Sequence, residues 1–195
     1  MSLHINDDAD AAQSLPGDLA IWIFIFAELV VFGILFAAYA FARSSHVTLF
    51  NVSQLTLNRD NGFANTLILL TSSYFVVRAN QAIKAGLNKA CGYWLSGALG
   101  LGGGFLWLKL AEFHQDFVHG INLSTNLFYM FYLSLTFFHF MHVVMGMVIL
   151  AVVAYKAYTG RYSAEHHTGV ETGGSYWHMV DLVWIILFAL VYVIH

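Results

Sequence analysis

The sequence predicts an all-α, polytopic membrane protein, a bundle of five transmembrane helices forming a single membrane domain over residues 1–195. Three observations carry this expectation. Hydrophobic residues make up 59% of the 195-residue chain and the mean hydropathy is +0.68. Charged residues make up only 10%, against roughly a quarter in soluble domains, which is too few to solvate a globule of this size. Finally, runs of about 20 residues with almost no charge recur along the chain, the length a helix needs to cross the hydrocarbon core.

Each run can be delimited in order. Pro16-Gly17-Asp18 reads as a helix start, with the chain's only proline followed by a capping carboxylate. The first span is expected over 19–42 and contains Glu28. Residues 43–62 hold polar turn formers and read as a loop with room for a short interfacial helix. The second span covers 63–83, with Arg78 near enough to its end to snorkel. The third, over 90–113, is glycine-rich, and Gly97, Gly100 and Gly104 follow the small-xxx-small spacing that permits close helix approach. It ends at Lys109, Glu112 and His114, which are expected near an interface. The fourth run, 125–158, is long enough to tilt, and the fifth covers 175–194.

Composition also excludes several function classes. A net charge of −3 and a pI near 6.3 oppose nucleic-acid binding, which needs a basic stripe. The single Cys91 excludes an internal disulfide and a cysteine-based metal cage. The N-terminal tail holds Asp7, Asp8 and Asp10 and no Lys or Arg, unlike a secretory signal. With five spans, one side of the membrane receives Arg78, Lys84, Lys89, Lys156 and Arg161, and the other Arg43, Arg59 and Lys109. The positive-inside rule then expects a cytoplasmic N-terminus and a periplasmic C-terminus.

Ionisable side chains inside a span cost several kcal/mol and call for a reason. Glu28 lies roughly 13 Å into the first span at 1.5 Å per residue, among Phe24, Ile25, Val31 and Phe32. It reads either as a protonatable group tied to a proton path or a lipid headgroup, or as a carboxyl hydrogen-bonded to a neighbouring helix. His139 and His142, three apart on the fourth span, could ligate a metal or haem or bond to another helix. His178 and Asp181 are spaced to pair with each other, while Tyr176, Trp177 and Trp184 suit an interfacial anchor. His166, His167 and Glu171 form a loop cluster that could hold zinc.

These residues also fall into recognisable motifs. His166-His167-Thr168-Gly169-Val170-Glu171, continuing through Gly173 to Tyr176-Trp177-His178-Met179-Val180-Asp181-Leu182-Val183-Trp184, resembles the last-helix signature of subunit III of the haem–copper oxidase superfamily. Phe26-Ala27-Glu28-Leu29, Asn65-Thr66 with Leu69 to Ser73, and Phe138-His139 with His142-Val143 and Gly146 resemble that family's other helices in the same order, and Glu112 matches the acidic residue closing the intervening one. Many members have seven helices, and this chain starts where their third would. It is therefore most similar to the small five-helix members, such as the quinol-oxidase subunits and, above all, the subunit-III-like protein associated with nitric oxide reductase.

The resemblance implies a non-catalytic accessory subunit in the bacterial inner membrane. Such a subunit binds no haem or copper of its own and packs against a haem-bearing catalytic subunit, with phospholipid as a possible bound component. Glu28 would be the functional carboxylate. His139, His142, His178 and Asp181 would be interhelical polar contacts, with His166, His167, Glu171, Tyr176 and Trp177 at a helix end. The preferred partner on this reading is nitric oxide reductase, and the alternative is a terminal cytochrome c or quinol oxidase. Rival classes are a small proton channel or transporter using Glu28, a histidine-based membrane metalloenzyme, and a haem-inserting chaperone.

Overall fold

A computed structural model describes residues 19–194, so the expected helix start at Pro16-Gly17-Asp18 lies outside the described residues. The described chain is entirely helical: α1 (Leu19–Ser45), α2 (Val47–Gln54), α3 (Arg59–Lys84), α4 (Asn88–Val118), α5 (Leu127–Tyr158) and α6 (Thr168–Phe188), the last running into a π-helical segment (Ala189–Val193). Among the described residues, α1, α5 and α6 with its π-helical extension are long and apolar enough to cross a membrane. The helices α3 and α4 match them in length but carry more polar and charged side chains.

The boundaries differ most from the sequence expectation at two places. The segment expected to be mainly loop is largely helical, as α2 and the first turns of α3, the latter started by the Asn58 side chain accepting from the Asn61 amide at 3.1 Å. The final helix begins at Thr168, seven residues before the expected 175, so Glu171 sits on its first turn rather than in a loop. Glycines usually weaken a helix. Here Gly173 and Gly174 bring α6 against α5 and α3, where a Cβ would meet Ile149 and Val153, and Val76, at 3.3 Å, and packing overrides propensity.

The ends of α3, α4 and α5 share one device. Gly86, Gly120 and Gly160 take positive φ angles of 73°, 75° and 68°, and the amide after each bonds back to the last helical turn (Leu87 to Ala82, Ile121 to Asp116, Arg161 to Lys156). This is the left-handed glycine cap that ends a helix abruptly and lets four helices fold back and forth within short loops.

Helices α3 to α6 form the core, with α3 against α4 the most extensive pairing and α6 seated against both α3 and α5. Helix α1 lies outside this group, touching it through Ile25, Phe32 and Tyr39, a single line of residues seven apart. The glycine contacts are not those the spacing suggested. Gly97 packs on Phe75, but Gly100 and Gly104 face open space, because they lie on the outward side of α4. The close approach occurs instead at Gly102 and Gly146, which flank the Trp177 ring so tightly that a Cβ at either would come within 2.9 Å of it.

Candidate functional site

Glu28 on α1 and His142 on α5 meet where these helices cross, with Oε2 and Nε2 3.0 Å apart. The other ring nitrogen of His142, Nδ1, lies 2.8 Å from the Phe138 carbonyl. A carbonyl only accepts, so Nδ1 carries hydrogen. The contact between Nε2 and Glu28 then needs one more proton, shared as a neutral carboxyl facing a neutral imidazole or as a carboxylate facing an imidazolium. In either form the pair stores a single proton. Phe32 and Phe138 pack on the imidazole at 5.1 and 4.7 Å between ring centres, while the two side chains remain 20% and 12% exposed. The Tyr176 hydroxyl donates to the His142 carbonyl at 3.4 Å.

A second polar group, which sequence reading placed near an interface, is deeply buried. Lys109 is fully enclosed and Glu112 is 7% exposed. The Lys109 ammonium donates to Glu112 Oε2 at 2.9 Å and to the Tyr192 hydroxyl at 3.0 Å. The Tyr132 and Tyr192 hydroxyls donate to Glu112 Oε1 at 2.6 and 2.9 Å. The rings of Trp184, Tyr132, Tyr192 and Phe113 surround the ammonium at 5.2 to 5.7 Å, close enough for cation–π attraction. Tyr192 belongs to the π-helical segment, and the carbonyls of that end are taken up by other elements. Gln54 donates to Val191 at 3.0 Å, Tyr39 to Leu190 at 3.4 Å and Arg43 to Ile194 at 2.7 Å. The signal available in sequence was the Lys109–Glu112 spacing of three; the two tyrosines come from other helices.

The motif residues of α6 separate into several roles. Glu171 forms an ion pair with Lys84 of α3 at 2.9 Å and lies 3.3 Å from His167, tying the start of α6 to the end of α3. His166 is exposed and closes the preceding turn through its backbone and Ser163. His178 and Asp181 do not pair directly. The Ser73 hydroxyl of α3 lies beside both, 3.3 Å from His178 Nδ1 and close to the Asp181 carboxylate. Tyr176 and Trp177 are buried rather than interfacial. His139, expected to bond to another helix, is fully buried between Phe105 and Trp184 and neither ring nitrogen has a partner among the described residues. Three residues leave His139 and His142 about 60° apart around α5, so one ring is turned into the core and its neighbour reaches the α1 crossing. Among the described residues no group of three or more His, Cys, Asp or Glu is arranged to hold a metal ion.

Comparison with known proteins gives these features a context. The family model for cytochrome c oxidase subunit III matches residues 15–195. The chain belongs to the cytochrome c oxidase subunit III family. Among relatives it is similar to cytochrome c oxidase subunit 3 of Thermostichus vulcanus, 35% identical across 90% of this chain and 86% of that one. The corresponding Synechocystis protein is 34% identical across 88% and 73%. The Arabidopsis thaliana protein is 35% identical across 67% of this chain and 48% of its own length. The family supplies accessory subunits of haem–copper oxidases, which partner the catalytic subunit I in the membrane and hold no redox cofactor themselves, the cofactors lying in subunits I and II.

Proposed function

We propose that this chain is the accessory subunit III of a terminal cytochrome c oxidase in a bacterial plasma membrane. It spans the bilayer five times, through α1, α3, α4, α5 and α6, with a cytoplasmic N-terminus and a periplasmic C-terminus. It braces the catalytic subunit and keeps one exchangeable proton at Glu28 and His142. The single observation that carries the proton role is the hydrogen-bond pattern of His142, which demands one proton on the bridge to Glu28. The oxidase partner is favoured over nitric oxide reductase because the relatives named above are cytochrome c oxidase subunits. The expected five-helix form is compatible with either partner.

The test is a gentle-detergent pull-down of the tagged chain that reads both its partners and their visible spectrum. Co-purification at fixed stoichiometry with a haem-bearing, oxygen-reducing complex supports the proposal. Recovery with nitric oxide reductase or a quinol oxidase transfers the subunit to that complex. A chain that emerges alone and colourless overturns the accessory reading and directs attention to proton flux through Glu28.

A further inference from the structure

A cleft of about 270 Å³ runs between α3 and α6 from the end where Lys84 and Glu171 pair, and its walls include Asn80, Gln81, Ser175 and His178. At roughly 30 Å³ per molecule it has room for several waters. It also has groups to hold them, since Asn80 Oδ1 is enclosed and without a hydrogen-bond partner. Beyond His178 lies Ser73, and beyond that Asp181, a residue only 6% exposed whose Oδ1 also has no partner. A carboxylate desolvated in this way is costly unless water or a proton reaches it.

We propose that this cleft is a hydrated access path ending in a His178–Ser73–Asp181 proton relay. It lets Asp181 exchange a proton with the aqueous side on which Lys84 and Glu171 lie. The transfers balance along the relay: His178 Nε2 takes a proton from a cleft water, the Nδ1 proton passes to the Ser73 oxygen, and the Ser73 proton passes to the neighbouring Asp181 carboxylate. The water is left as hydroxide, which bulk buffer neutralises, and release runs the same path backwards. The 3.3 Å between His178 Nδ1 and Ser73 Oγ is within reach for the middle transfer. Among the described residues Asp181 forms no ion pair. The other titratable groups on its own helix are Glu171, Tyr176 and His178. Those on the packed helices include Tyr74, Arg78 and Lys84 on α3, Lys109 and Glu112 bound to each other on α4, Tyr132, His139 and His142 on α5, and Glu28 on α1. The relay uses neither Glu28 nor His142 and does not depend on which oxidoreductase is the partner.

Infrared difference spectroscopy of the purified complex tests the relay, with Asp181→Asn assigning the carboxyl band. The relay requires a band that follows bulk pH, is absent from Asp181→Asn, and exchanges with deuterium at least tenfold more slowly in His178→Gln. His178→Asn serves as the second variant if His178→Gln fails to fold. The cleft is tested in a Cys91→Ser background, where Ser175→Cys should react with a charged, membrane-impermeant thiol reagent at least tenfold faster than Ile186→Cys on the exposed side of α6. The proposal is overturned if no band disappears in Asp181→Asn, if exchange is unchanged in the His178 variants, or if the two cysteines react alike.

Discussion

Two acid–base clusters in this bundle are built from similar residues and are opposite in character. Around Lys109 and Glu112, both carboxylate oxygens and the ammonium are engaged, the donors come from three different elements, and aromatic rings close the remaining directions. At the α1–α5 crossing, Glu28 makes one hydrogen bond to one histidine and both side chains keep some exposure. A buried ion pair that is fully satisfied resists change, because removing either member strands a charge in a low-dielectric interior. A pair held by a single shared proton, at the edge of the bundle, can change state without unpacking anything. On the function proposed above, the first cluster is structural and the second carries the exchangeable proton.

The sharpest way to break this contrast is Lys109→Ala. It strands Glu112 and is expected to destabilise the protein by about 3–5 kcal/mol, read by thermal unfolding in detergent and by membrane abundance. The double variant Lys109→Met/Glu112→Gln should recover most of the loss, and a double variant as unstable as the single one would show that shape rather than charge holds the site. Tyr192→Phe removes the hydroxyl that bridges Lys109 and Glu112 and should cost about 1–2 kcal/mol in the same assay.

Asp116 probes the edge of the buried cluster, beyond the apolar stretch of α4. Burial, reinforced by the charge of Glu112 and opposed by Lys109 and His119, lifts its pKa from 3.8 to about 6. The folded state therefore holds this proton more tightly than the unfolded chain. Its contribution to stability is fully present below the ordinary carboxylate range and is lost as pH rises through about 6. Because the side chain is only about half-buried, the effect is discounted to about 1 kcal/mol. Asp116→Asn should flatten this part of the pH–stability curve, and an unchanged curve would place the titration elsewhere.

The smallest expected effect on stability is that of Glu28→Gln. The amide can still donate to His142 Nε2, so unfolding should shift by less than about 0.5 kcal/mol and co-purification should persist, while the exchangeable proton is gone. Loss of sustained turnover alone would sharpen the contrast. Loss of abundance would erase it by making Glu28 structural as well.

The helical architecture was legible because apolar runs of spanning length are a strong local signal, and the long helices fall close to the runs that predict them. What sequence could not give was partnership. Glu28 and His142 are 114 residues apart, and nothing in the neighbourhood of either announces the other. Lys109 looked like an interfacial cation because a lysine near the end of an apolar run commonly snorkels. Its burial depends on Tyr132 and Tyr192, supplied by later helices. The start of α6 was missed because Gly169, Gly173 and Gly174 argue against a helix locally, whereas the small size of Gly173 and Gly174 is what the contacts with α5 and α3 require, and Gly169 packs on Tyr162. His139 and His142 looked equivalent by spacing, yet one turn of helix separates a ring sealed in the core from one at the α1 crossing.

The π-helical end of α6 has a consequence for biogenesis. Tyr192 is 83 residues downstream of Lys109, so at ribosomal rates of about 5–20 residues per second the lysine waits roughly 4–17 s for this partner. Glu112, three residues on, emerges almost at once and can escort the charge during insertion. The aromatic lining is completed only when the last helix arrives, and Arg43, Gln54 and Tyr39 then fasten that helix to segments made at the outset. This π-helical stretch thus acts as a lock on the assembled bundle, and a ribosome stalled just short of it would leave α1 to α6 made and the buried Lys109 charge unsealed.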